Sequence, residues 1–185
     1  MIGAGLVVQL SLCPLERYEF QLYIKVKHID MIVVNSKEEL ERLINQRIEE
    51  HGPKCDLNDI DVSKIKDMSL LFDSSPFDGD ISKWDVSNVE YMFCMFYDSH
   101  FNGDISQWDV SRVKDMEAMF KWSQFEGDIS KWNVSKVKDM AFMFHNSVFD
   151  GDISDWNVSK VQDMYNMFVG SPLEGNEPKW YEVNL

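Results

Sequence analysis

Large apolar residues return along this chain at a fixed step of 24. Trp84, Trp108, Trp132, Trp156 and Trp180 mark the step, and Met68, Met92, Met116, Met140 and Met164 keep it. Phe72, Phe96, Phe120, Phe144 and Phe168 follow it, as do Gly79, Gly103, Gly127, Gly151 and Gly175. Trp122 alone among the tryptophans lies outside the series. A constant period of about 20–50 residues marks an array of stacked units, none of which can bury its apolar face alone.

Within one repeat, Phe77-Asp78-Gly79-Asp80 reads as a turn, with glycine supplying positive φ and Asp side chains bonding nearby amides. Ile81-Ser82-Lys83-Trp84-Asp85-Val86 carries the apolar spacing of a leucine-rich-repeat strand, which points Trp84 and Val86 inward and Asp85 outward. Ser87 follows as a candidate N-cap. Val89, Met92, Met95 and Phe96, spaced i, i+3, i+6, i+7, then predict a short inward-packing helix. Glu90 and, in later copies, Asp115, Asp139 and Asp163 suit its first turn. The predicted fold is an α/β repeat, a leucine-rich-repeat-like right-handed solenoid of about five 24-residue coils with an N-terminal helical cap. Burying one large side chain fully is worth about 1.5–3 kcal/mol, so stacking such coils offsets the entropy of ordering them. Each buried indole N–H also needs an acceptor, which spacing alone does not name.

Around the array, residues 1–34 form an N-terminal extension. Alternation at Tyr18, Phe20, Leu22, Ile24 and Val26, followed by Ile32, Val33 and Val34, predicts one or two strands there. Residues 35–54 predict a capping helix: Ser36 and Glu39 form a capping box, Leu40, Leu43, Ile44 and Ile48 form an apolar stripe, and Gly52-Pro53 ends it. Such a helix covers the open end of the first coil. Residues 55–185 hold the array, with Ile60 standing for Trp in the first copy and Gly175-Asn176-Glu177-Pro178 marking decay in the last.

Charge narrows the partners. Thirty-two acidic and 18 basic side chains give a formal net charge of −14, which repels phosphate backbones and excludes nucleic acid as a partner. No run approaches the roughly 18 apolar residues of a membrane span. Cys13, Cys55 and Cys94 are odd in number and irregular in spacing, giving neither a disulfide framework nor a metal motif. The apolar stretch Gly5 to Cys13 has no basic residue before it, and bulky Leu12 makes Leu10-Ser11-Leu12-Cys13 a poor lipoprotein box. No signal peptide is evident, and a cytoplasmic location stays open beside export.

The motif itself, Phe101-Asn102-Gly103-Asp104-Ile105-Ser106-Gln107-Trp108-Asp109-Val110-Ser111-Arg112-Val113-Lys114-Asp115-Met116-Glu117-Ala118-Met119-Phe120, resembles the repeat of the BspA-like leucine-rich-repeat surface proteins of bacteria. That repeat is also known as a domain of unknown function in mycoplasma lipoproteins. The lead-in Asp56-Leu57-Asn58-Asp59-Ile60-Asp61-Val62-Ser63 is similar as well, and the likeness spans about residues 35–180. The resemblance implies a leucine-rich-repeat-like solenoid, surface-exposed or secreted, with adhesion to host or bacterial proteins among its relatives. It implies no catalytic residues and no cofactor.

A solenoid binds through its exposed strand positions, so the candidate site is a polar strip. Asp61, Asp85, Asp109, Asn133 and Asn157 form one column, with Lys83, Gln107, Lys131 and Asp155 beside it. Read as a site, the strip meets a protein or glycan; read as structure, it is a hydrogen-bond ladder between coils. Trp122, beside Lys121, is a candidate interface anchor. The Asp-Gly-Asp turns offer too few oxygens per turn for calcium unless neighbouring coils share an ion, and the methionine column suits a core. His28, His51, His100 and His145 share no ligand spacing, and no nucleophile triad or phosphate loop is present. The expected function is a non-catalytic protein-interaction module, a bacterial surface or secreted binding protein. An intracellular scaffold is the second reading and an enzyme the third.

Overall fold

The computed structural model describes residues 31–182 and the backbone of two short pairs, Val8–Gln9 and Lys25–Val26. The pairs are β1 (Val8–Gln9) and β2 (Lys25–Val26), antiparallel with Val8 opposite Val26. Most of the alternating run from Tyr18, together with Cys13 and the apolar start, lies outside the described residues. β3 (Ile32–Val33) lies parallel to β4 (Ile60–Asp61), with Ile32 opposite Ile60, so the chain enters beside the first repeat.

Helix α1 (Lys37–His51) starts at Ser36, whose hydroxyl accepts the Glu39 amide at 3.2 Å. The Glu39 carboxylate reaches back to the Asn35 amide at 2.9 Å, which fixes the entry of the chain. Gly52, at φ 84°, closes the other end through its amide to the Ile48 carbonyl. Leu40 and Ile44 are fully buried and Leu43 and Ile48 partly so, all against the core that the repeats share.

From Cys55 onward the copies lie one against the next, joined by main-chain hydrogen bonds. The amides of Met92, Cys94, Phe96 and Asp98 donate to the carbonyls of Asp115, Glu117, Met119 and Lys121, at 2.8–3.0 Å. The same set joins 68–74 to 91–97, 116–122 to 139–145, and 140–146 to 163–169. Asp67, Tyr91, Asp115, Asp139 and Asp163 form a row of parallel bridges along one side of this ladder.

The ladder occupies the segment that predicts a helix from sequence. In a helix every amide is used by its own chain four residues back, leaving none to tie coils together. Here alternate amides leave the coil, and those between close three-residue turns such as Met95 to Met92 and Tyr97 to Cys94. Two positions per repeat are thereby forced to positive φ, as at Cys94 (51°) and Asp98 (47°). Val89, Met92, Met95 and Phe96 are nonetheless all buried, because three-residue turns also bring i and i+3 to one side. The Ile81–Val86 stretch forms no named strand either: the Trp84 amide turns back to Ile81, and Val89 to Val86.

The tryptophans close the core. Trp84 donates its indole N–H to the Leu57 carbonyl at 3.0 Å, and Trp108, Trp132, Trp156 and Trp180 repeat the bond to Ile81, Ile105, Ile129 and Ile153. Each indole thus bonds the preceding repeat, 27 residues back. Phe72, Phe96, Phe120, Phe144 and Phe168 stack with ring centroids 5.5–5.9 Å apart, beside a second stack of Phe77, Phe101, Phe125 and Phe149. Helix α2 (Lys179–Glu182) covers the last repeat, Trp180 lying 6.5 Å from Trp156 and Tyr181 meeting Phe168 edge-on at 4.9 Å.

The turn glycines have a different cause from the one expected. Gly79, Gly103, Gly127 and Gly151 do not take positive φ; their neighbours leave no room for a side chain. A Cβ on Gly127 would stand 2.6 Å from the Phe125 ring, which folds back over it. Gly127→Ala therefore overpacks the phenylalanine stack and lowers stability by about 1–3 kcal/mol, and adding Phe125→Leu recovers part of the loss. Urea unfolding of the three variants measures this; an unchanged midpoint for Gly127→Ala would show that the ring yields freely.

Candidate functional site

The polar strip is exposed as expected, apart from half-buried Asp61. Its first column makes turns. Asp61, Asp85, Asp109, Asn133 and Asn157 each accept, on Oδ1, the amide of the serine two residues on, at 3.0–3.2 Å. These bonds stay within one repeat, so the column is a set of corners and not a ladder between coils. Asp80, Asp104, Asp128 and Asp152 make the same corner with Ser82, Ser106, Ser130 and Ser154. Lys83, Gln107, Lys131 and Asp155 stand exposed beside the first column. Corner formation accounts for the residue types of the column without a ligand.

A second face carries residues that no corner explains. On the ladder segment, positions that differ between repeats reach the surface: Phe93, Glu117 and Tyr165 in one column, where buried Ala141 is the exception, and Tyr97, Lys121, His145 and Val169 in another. Trp122 meets Tyr97 at a tilt, with ring centroids 5.8 Å apart, and Tyr165 meets Phe142 edge-on at 5.4 Å. Trp122 and Tyr165 are 45% and 63% exposed, although large rings gain most from burial. Trp122 was legible as off-series; its companions were not, since the expected helix hid which positions face out.

The backbone beneath these rings is strained. Trp122 and Phe142 hold φ at 60° and 57°, the left-handed region that costs a bulky L-residue about 1–2 kcal/mol. Copies of the Trp122 position use Ser74, Asp98, Asn146 and Gly170, residue types that are small or tolerate this conformation.

Electrostatics separate the two faces. At Asp61 and Asp109 the hydroxyl and then the amide of the following serine hold the carboxyl below its ordinary value. At Asp104, Asp128 and Asp152 the amide leads and the hydroxyl follows. On the ladder face the direction reverses. Burial, then Asp139, Asp115 and Asp163, pushes Glu117 up, and burial with the neighbouring Asp115 and Asp163 raises Asp139 against the pull of the Ala141 amide. Burial lifts the Cys94 thiol to about 11 and also raises Cys55, so neither is a nucleophile at neutral pH. Among the described residues no three His, Cys, Asp or Glu are grouped to hold a metal ion, and no helix is long and apolar enough to cross a membrane.

The family described as Mycoplasma protein of unknown function, DUF285, matches this chain twice, over residues 39–124 and 101–181. The chain belongs to that family. The two DUF285 matches overlap within the array and together take in α1 from Glu39 onward, every corner column and the ladder face. No curated protein and no solved structure matches the chain.

The corner carboxylates of this DUF285 array make a pH prediction. A carboxyl whose folded pKa is depressed adds stability that is present above its unfolded value and lost as pH falls through the folded one. Glu117 and Asp139, raised in the fold, act oppositely and weaken it while both are ionised. Stability therefore rises slightly from neutral pH into the mildly acidic range, then drops below the ordinary Asp value of 3.8. Denaturant titrations across pH 7 to 3 measure it, with Asp104→Asn and Asp128→Asn flattening the acid limb. A profile that declines steadily from neutrality would contradict the assignment.

Proposed function

We propose that this chain is a non-catalytic protein-interaction module whose stacked repeats build a leucine-rich-repeat-like right-handed solenoid, as the BspA-like likeness of its motif implies. Buried columns repeat one residue type from copy to copy, while the outward columns of the ladder face differ, as a surface fitted to a partner requires. The observation that carries the reading is Trp122. It puts a bulky ring on the left-handed backbone that the rungs impose, where other copies carry Ser, Asp, Asn or Gly, and leaves 45% of its surface in water. Strain kept at an exposed aromatic residue points to a binding role. The likeness to bacterial surface proteins supports exposure on, or secretion from, a bacterial cell.

Trp122→Asn tests this directly, because Asn146 already serves at the copy of that position. The variant holds or gains up to about 1 kcal/mol of stability, as relief of strain outweighs the lost ring contacts. Binding moves the other way. A protein that the parent retains from bacterial lysate or host matrix is lost by Trp122→Asn and kept by the strip variant Asp85→Lys/Asp109→Lys. Loss through the strip variant alone would reassign the site to the corners, and a destabilised Trp122→Asn would make the ring structural.

A further inference from the structure

The ladder face already holds one cation on its rings. Lys121 Nζ stands 4.6 Å from the Phe142 centroid, 5.8 Å from Trp122 and 5.9 Å from Tyr97. A ring face attracts an ammonium or guanidinium through its quadrupole, most strongly on Trp and Tyr. Tyr165, the most exposed of these rings, has no basic group over it among the described residues. Alongside, main-chain bridges set Asp115 beside Asp139 and Asp139 beside Asp163 in successive repeats, and Glu117 lies close enough to feel the charge of all three. Burial first, and then the repulsion among these like charges, raises Glu117 and Asp139.

We propose that this face binds a basic peptide segment, with Lys or Arg side chains seated over Trp122 and Tyr165 beside the Glu117 and Asp139 carboxylates. The proposal rests on the ring-face reading above and names its partner's chemistry. The rings make the surface, and the carboxylates decide the sign of what it takes. A basic segment relieves their repulsion and covers the rings in one step. A neutral glycan would stack on the rings but leave the repulsion in place. A second copy, at net charge −14, would bring like charge to the face.

Fluorescence anisotropy with labelled oligoarginine and oligolysine peptides tests it, with oligoglutamate and a Gly-Ser peptide as controls. The basic peptides bind the full chain and the others do not. Affinity falls by about tenfold in Trp122→Asn/Tyr165→Ala, and by a similar factor in Glu117→Gln/Asp139→Asn, whose Asn keeps the acceptor for the Ala141 amide. The charge-matched pair Asp104→Asn/Asp128→Asn, on the corners, leaves it unchanged. Equal loss in the corner pair would reduce the effect to diffuse net charge and overturn the proposal, as would no binding at low salt. Binding of a neutral oligosaccharide in place of the peptides, or self-association lost with Trp122→Asn, would also overturn it. In those two outcomes the ring face stays the binding surface, whereas Trp122→Asn retaining every natural partner would sink the ring-face reading itself.

Discussion

Everything in this molecule depends on where the main-chain amides of the ladder segment go. The Met92 amide donates to Asp115 and the Met116 amide to Asp139, so the coil gives its donors to the following repeat instead of to itself. Because every coil must present the same donors at the same height, the period is held to one length. An inserted residue would move every rung after it out of line and turn inward columns outward. The left-handed positions follow from the same bonds, since a chain that exports alternate amides while closing short turns between them must change hand regularly.

That constraint divides the side chains into kinds. Inward residues meet their own copies, as in the Phe96, Phe120 and Phe144 stack, and any change of size is felt on both sides. Corner residues serve backbone amides: Asp or Asn with the following serine, and Ser99 and Ser123 with Phe101 and Phe125. The outward positions of the ladder have neither duty. The chain has placed Tyr97, Lys121, Trp122, Phe142 and Tyr165 there, clustered within the middle and later repeats.

Much of the buried set was readable from spacing, because period and apolarity act whatever the backbone does. Trp84, Val86, Val89, Met92 and Phe96 are buried as the pattern requires. Helix α1 was readable for a local reason: Ser36, Glu39 and Gly52 carry its caps within the helix and its immediate neighbours. The backbone between Met92 and Asp98 was not, since an i, i+3 spacing is shared by helices and successive turns, and the choice rests on amides leaving for another repeat. The Trp84 acceptor, Leu57, lies 27 residues away and could not be read locally. The glycine at the turn was right in identity and wrong in cause, because the Phe ring that fills its space folds back only in three dimensions. Asp85 was placed outward correctly, yet its bond to Ser87 makes it a corner.

The face that varies is also the face that ties the coils together, and this joins function to fold. A side chain at the Trp122 position sits on backbone whose geometry the rungs above and below determine, so its ring is presented from a rigid base. The Trp122 amide itself donates to the His145 carbonyl at 3.0 Å. Rigidity lowers the entropy lost when a partner docks, because the anchor does not need to be ordered on contact. The same rungs impose the left-handed conformation that makes a bulky residue costly there. An array built this way offers its firmest mounting points where large side chains are least comfortable. A large exposed ring at such a point is therefore more informative about function than the same ring on an ordinary loop.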